Sequence, residues 1–144
     1  MPKPLFRVVA FDDGFFEKNR SREALLAGVV WRADNRIDGI LSTKIKVDGN
    51  DANQKISSLL NDSRFAGQAS YILLQGITFA GFNLVDLKRL SESTGKPVIA
   101  VFRKKPNLKA MLRAVKRFPD SAQKSRILKS APKIRSLGRA RFQF

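Results

Sequence analysis

Cysteine and histidine are both absent from the 144 residues. Without cysteine there is no disulfide, no thiolate metal site and no thiol nucleophile. Without histidine the commonest general acid–base group is missing, and with it every Ser–His relay. No apolar run approaches the ~20 residues that span a bilayer. The opening MPKPLFRVVAFDD has a short apolar run followed by acids, where a secretory leader would carry a small-residue cleavage site. A cytoplasmic protein is the expectation.

Acidic side chains are scarce, and scarcest toward one end. The chain has 28 Lys and Arg against 12 Asp and Glu, a net charge of +16. Residues 1–102 hold 14 basic and 11 acidic side chains, a net +3, whereas residues 103–144 hold 14 basic and one acidic, Asp120, a net +13. Such a segment repels itself unless a polyanion neutralises it. A solvated thermophile surface would interleave acids with bases to build ion-pair networks. An anionic membrane would want bulky apolar residues opposite the basic face. Nucleic acid is therefore the expected partner, and no membrane.

The chain does contain enough apolar residues, 43%, for one core. Leu5–Asp13 reads as a strand that is apolar on both faces, hence central. Ala24–Trp31 is a second strand, with Gly28 as a bulge or close-packing point. Ile37–Val47 alternates cleanly and reads as half-buried. Short connections make these three an antiparallel meander. Asp51, with Gln54 three residues on, forms a capping-box pattern for a first helix. Tyr71–Leu74 is a fourth strand. Asn83 is a cap for a second helix, with Asp86 in its first turn and Gly95 at its end. Pro97–Phe102 is a fifth strand. Leu108, Met111, Leu112 and Val115 give a third helix one apolar stripe. Residues 122–130 form a short basic helix, and residues 132–144 read as a tail. The fourth and fifth strands flank a helix, so they are expected to run parallel.

Asp12 and Asp13 end the first strand and point to opposite faces. A carboxylate at the mouth of a central strand suits Mg²⁺, although Asp-Asp-Gly also reads as a strand-ending turn. Asp48 fits a turn better than a site, Asp86 fits the helix dipole, and Glu17 lies in a loop. Phe79 and Phe82 suit either base stacking or the core, and the core is favoured. GITFAG lacks the Gly-Lys-Ser/Thr ending of a phosphate loop.

FDDG at residues 11–14, LLQGITFAGFNLVDL at 73–87 and TGKPVIAVFRKKP at 94–106 resemble an archaeal family of unknown function related to endonuclease V, with a ribonuclease H-like fold. LSTKIKVDGNDA at 41–52 fits the same family. The resemblance covers about residues 5–120 and implies an α/β fold: a mixed sheet with packed helices, in which a three-strand antiparallel meander precedes strand–helix alternation. It divides the chain into an endonuclease V-like domain, 1–120, and a basic C-terminal extension, 121–144, standing where relatives continue with a further strand and helix. In nucleases of this fold, acidic residues at neighbouring strand ends bind a divalent metal that activates water. Asp12 matches the first-strand carboxylate by position. Where the family commonly has Asp-Gly, this chain has Gln75-Gly76. An amide brings no negative charge and holds Mg²⁺ weakly, so the site reads as degenerate, with Asp12 a vestigial metal ligand and no confident catalytic residue.

The expectation is a nucleic-acid-binding protein, with RNA preferred, that keeps a nuclease-like fold without its chemistry and needs no cofactor. Ribosomal RNA and neighbouring ribosomal proteins are the expected partners in a ribosome-associated structural role. The expected phosphate contacts are Arg103, Lys104, Lys105, Lys109, Arg113, Lys116, Arg117, Lys124, Arg126, Lys129, Lys133, Arg135, Arg139 and Arg141. The alternatives are a working Mg²⁺-dependent endonuclease acting on RNA or modified DNA, with Gln75 as a neutral ligand, and a protein-interaction module using the vacated cleft.

Overall fold

The computed structural model describes residues 5–137 and 140–143. Three antiparallel strands open the chain: β1 (Arg7–Asp13), β2 (Glu23–Arg32) and β3 (Arg36–Lys46). Helix α1 (Ala52–Asn61) leads into β4 (Ala69–Gln75), which lies parallel to β1. A small ribbon of two-residue strands, β5 (Thr78–Phe79) and β6 (Asn83–Leu84), follows, then helix α2 (Leu87–Thr94) and β7 (Val98–Phe102), parallel to β4. Helices α3 (Leu108–Ala114) and α4 (Ser121–Ser130) come next, then β8 (Arg135–Leu137) and β9 (Ala140–Gln143). The main sheet has seven strands in the order β3-β2-β1-β4-β7-β9-β8.

The core lies on one face of this sheet. Val9 and Phe11 of β1 stand beside Leu26 and Val30 of β2 and beside Ile72 and Leu74 of β4. Ile56 and Leu60 of α1 and Leu87 and Leu90 of α2 close over them. Period-2 alternation on the strands, i, i+4 spacing on α1 and i, i+3 spacing on α2 bring these side chains to one layer. Gly28 is a close-packing point: a Cβ there would come within 2.6 Å of the Phe11 ring. The bulge lies elsewhere, between Val30 and Trp31.

Four expectations change. The capping box is not formed, because the Asp51 side chain makes no cap bond to its helix and instead accepts from the Lys46 N–H and the Asn83 amide. Asn83 caps α1 across the fold, its Oδ1 accepting from Ala52 N at 2.9 Å. Asp86 is the cap of α2 and accepts from Arg89 N. The segment read as a tail adds a hairpin to the sheet, with β9 antiparallel to β7. That pairing satisfies the outer N–H and C=O row of β7, which would otherwise be a free edge.

Candidate functional site at the strand ends

The C-terminal ends of β1, β4 and β7 lie side by side. Phe11 pairs with Leu74, so Asp12 and Gln75 occupy the next rung and face the same side of the sheet. The Gly76 N–H extends the ladder to Val101 O at 2.8 Å, which brings Arg103 alongside. The Asp12 carboxylate is exposed and accepts from Asp13 N at 2.9 Å. Desolvation at its base raises its pKa above the ordinary value, and the Asp13 side chain adds to the rise. The Asp13 N–H and the charge of Arg103 pull the other way without reversing it.

The neighbouring acids are committed to holding loops. Asp13 Oδ2 accepts from Ala80 N at 2.8 Å, and Asp48 Oδ1 accepts from Phe82 N at 2.8 Å. Between those anchors Ala80 and Gly81 both have positive φ, 43° and 83°. Gly81 has a second reason to lack a side chain: a Cβ there would overlap the Asp48 carboxylate. Asp48 itself has φ 54°, in keeping with the turn reading. Glu17 pairs with Arg20 at 3.6 Å on the surface. Among the described residues no three His, Cys, Asp or Glu converge on a point that could hold a metal ion. One carboxylate and one amide are a poor donor set for Mg²⁺, which favours charged oxygen ligands. The residues present therefore do not fit the metal centre that the fold implies.

Beside Gln75 opens a groove of about 890 Å³. Gly76, Gly81 and Phe82 form one wall, and Leu108 and Met111 of α3 form another. Arg103, Lys105, Lys129 and Lys133 also line it, and no carboxylate does. Phe79 is fully buried and belongs to the core. Phe82 stands in the groove wall, 5.9 Å from the Phe118 ring, and the Arg117 guanidinium lies 4.7 Å from the centroid of Phe118. That aromatic pair with a cation over it was not foreseen. The only sequence signal for it is the spacing of Phe82 from a Phe-Pro break near the third helix.

Of the expected phosphate contacts, Arg103, Lys104, Lys105, Lys109, Arg113, Lys116, Arg117, Arg126, Lys129, Lys133 and Arg135 are exposed. Arg141 is half-buried, and Arg139 lies outside the described residues. Lys124 is a correction. It is 2% exposed, and its ammonium donates to Gly49 O at 2.6 Å and pairs with Asp120 at 3.1 Å. Phe118 lies beneath it at 5.3 Å. With its charge enclosed in this way, Lys124 has no surface to offer a phosphate. It pins α4 to the turn after β3.

Comparison with known proteins follows the same lines. Residues 4–143 match the model of the family described as Endonuclease dU. A UPF0215 protein of Thermococcus sibiricus is 43% identical over 139 residues, covering 94% of this chain and 71% of its own. One from Methanothermobacter thermautotrophicus is 41% identical over 133 residues, covering 92% of this chain and 65% of its own. The chain thus spans about two thirds of the length of these relatives. A solved protein of unknown function from Archaeoglobus fulgidus superposes with a TM-score of 0.88 at 33% identity, over 96% of this chain and 77% of that one. Endonuclease V of Bacillus subtilis superposes at 0.53 with 9% identity, over 70% of this chain and 46% of that one. The fold is thus the ribonuclease H-like fold of endonuclease V, and the basic segment through residue 143 lies within the family match. The chain belongs to the archaeal Endonuclease dU (UPF0215) family.

Proposed function

We propose that this chain binds RNA through the groove beside Gln75 and the cations around it, and that its metal-dependent chemistry has been lost. One observation carries the reading: Arg103, Lys105, Lys129 and Lys133 line the same groove as Gln75 and Gly76, with no carboxylate among them. Cations that line a groove track a sugar–phosphate backbone, and the half-buried Phe82 offers a ring face to an unstacked base. Contacts of this kind supply affinity with little sequence readout. The surplus of exposed cations on α3 and α4 suits a phosphate-dense ligand, and ribosomal RNA is the ligand we assign, in a structural role on the ribosome. Gln75 supports the loss of chemistry, because it stands beside Asp12 where a second carboxylate would be needed.

The test has two parts. Affinity for a fluorescein-labelled single-stranded RNA, followed by anisotropy, is expected to fall by about three orders of magnitude between ~50 and ~200 mM salt if six or more phosphates are contacted. A flat response sinks the electrostatic mechanism. Cosedimentation with ribosomal subunits through a salt gradient then tests the partner.

The family description favours a second reading, an endonuclease acting on deoxyuridine-containing nucleic acid. It predicts cleavage of such an oligonucleotide with Mg²⁺ or Mn²⁺ that Asp12→Ala abolishes. Our reading expects no cleavage by the native chain. Activity confined to Gln75→Asp would identify position 75 as the site of the loss.

A further inference from the structure

The sheet face opposite the core is apolar and bare among the described residues toward its Phe6 and Tyr71 end, while Asp12, Gln75 and Lys44 share the same face toward the other end. Trp31 on β2 pairs with Val8 on β1 and with Ile37 on β3, and Tyr71 on β4 also pairs with Val8, so these side chains share that outer face. Phe6 joins them, its ring 6.4 Å from Trp31 and 6.5 Å from Tyr71. Leu25 and Ile40 continue the face across β2 and β3, and Val101 lies on it at β7. Phe6, Leu25, Ile37, Ile40, Tyr71 and Val101 are between 38% and 70% exposed. Together they present on the order of 500 Å² of surface, approaching the ~800 Å² that each partner buries in a standard interface. A patch of that size is at the upper end of what a monomer carries.

We infer that this face is a homodimer interface, covered by the same face of a second copy across a two-fold axis. Three features select a second copy. A flat apolar sheet face is complementary to itself, because two sheets pack face to face at about 10 Å with their inner side chains interleaved. The ionic groups at its aromatic end are already neutralised within the chain: Arg7 holds Asp38 at 2.6 Å, and Arg32 holds Asp34 at 2.8 Å and Asp38 at 3.7 Å. Such a border neither draws a phosphate backbone nor repels a copy. The cations around the groove stand beyond Gln75 and Phe102, away from Phe6 and Tyr71, and Val101, which also lines the groove, marks where the patch meets it. Edge-to-edge association through β3 is disfavoured by Lys44 and Lys46 on that strand, and Lys44, opposite Leu25 on this same face, bounds the patch at that end.

This inference is independent of the RNA reading, and one experiment separates them. The full chain is sedimented to equilibrium in ~1 M salt, which removes bound nucleic acid, at concentrations up to about 100 µM. The expected mass is twice the 16.1 kDa of the chain. Ile40→Glu alone should weaken association at least ~10-fold, and Leu25→Glu with Tyr71→Glu should leave 16.1 kDa. These side chains are exposed in the single chain, so circular dichroism should be unchanged. A native chain of single mass throughout overturns the inference, and so does a doubled mass that survives all three substitutions. RNA binding by the same variants is measured in parallel. Loss of RNA affinity with no change of mass would make the face a stacking platform, which also overturns it. Loss of the dimer with RNA affinity intact supports it.

Discussion

Arg7, Arg32 and Arg36 share Asp34 and Asp38, whereas Arg103, Lys105, Lys129 and Lys133 surround a groove that contains no carboxylate. The two regions therefore use the same residue types for opposite ends. In the meander each guanidinium is neutralised beside an apolar face. Among the described residues 103–134 the one ion pair is Asp120 with the buried Lys124. Elsewhere in that span, apart from Arg103 beside Asp12, the cations are exposed and make no ion pair among the described residues, a state that favours compact folding less than it favours a polyanionic ligand. The comparison teaches that net charge alone is a weak guide. What marks a binding surface is charge left unpaired in a fold that has acids available and places them elsewhere.

The largest effect tests that contrast directly. Changing Arg103, Lys105, Lys129 and Lys133 together to glutamine should lower affinity for single-stranded RNA by about 100-fold or more at low salt, and should reduce the slope of log affinity against log salt by about 3. Thermal stability should hardly move, because these are exposed positions. The matched change of Arg7, Arg32 and Arg36 should leave RNA affinity within about twofold, since those cations are already satisfied. Equal losses from the two sets, read by anisotropy titration, would break the comparison.

Much of the fold was legible from pattern. The meander, the parallel pairing of the fourth and fifth strands and the Gly95 stop all follow from local periodicity and turn chemistry, and all hold. What was illegible depends on contacts made across the chain. Asn83 has a capping residue's chemistry, but the helix it caps begins 31 positions earlier. The strand at 140–143 alternates apolar and polar residues, but its polar members, Arg141 and Gln143, occupy the register opposite Phe102 and Ala100, so the pattern does not announce a core-facing strand. At the site the sheet register sets Asp12 beside Gln75, and Asp48 was legible as a turn residue, yet nothing local distinguishes Asp13, which anchors a loop, from a ligand.

Lys124 carries the contrast into a single helix. It is buried and bonded to Gly49, 75 positions away, while Lys129 on the next turn of α4 lines the groove. Lys124→Met should destabilise the fold by roughly 2–3 kcal/mol in urea, because the Gly49 carbonyl and the Asp120 carboxylate lose their donor. Lys129→Met should cost under about 0.5 kcal/mol and should instead weaken RNA binding. A Lys124 variant of native stability would mean that α4 is not held to the turn in this way.

The smallest effect concerns Asp12, and its sign is informative. Its pKa in the fold is raised from the ordinary 3.8, chiefly because the folded environment desolvates the carboxylate and secondarily because Asp13 stands beside it. A raised value means that the contribution of this group is most favourable where the carboxyl is protonated in both states. Stability is then lost as pH rises through the folded pKa, since the folded chain must ionise the group against its surroundings. Asp12→Asn removes that ionisation. The variant should melt slightly higher than the native chain at neutral pH, by about 1 °C or less, and the difference should vanish near pH 3. The opposite sign at neutral pH would mean that the charged carboxylate is held favourably. If added Mg²⁺ then raised the melting temperature of the native chain but not of Asp12→Asn, the strand ends would retain a cation site, and the loss of chemistry assigned to Gln75 would be incomplete.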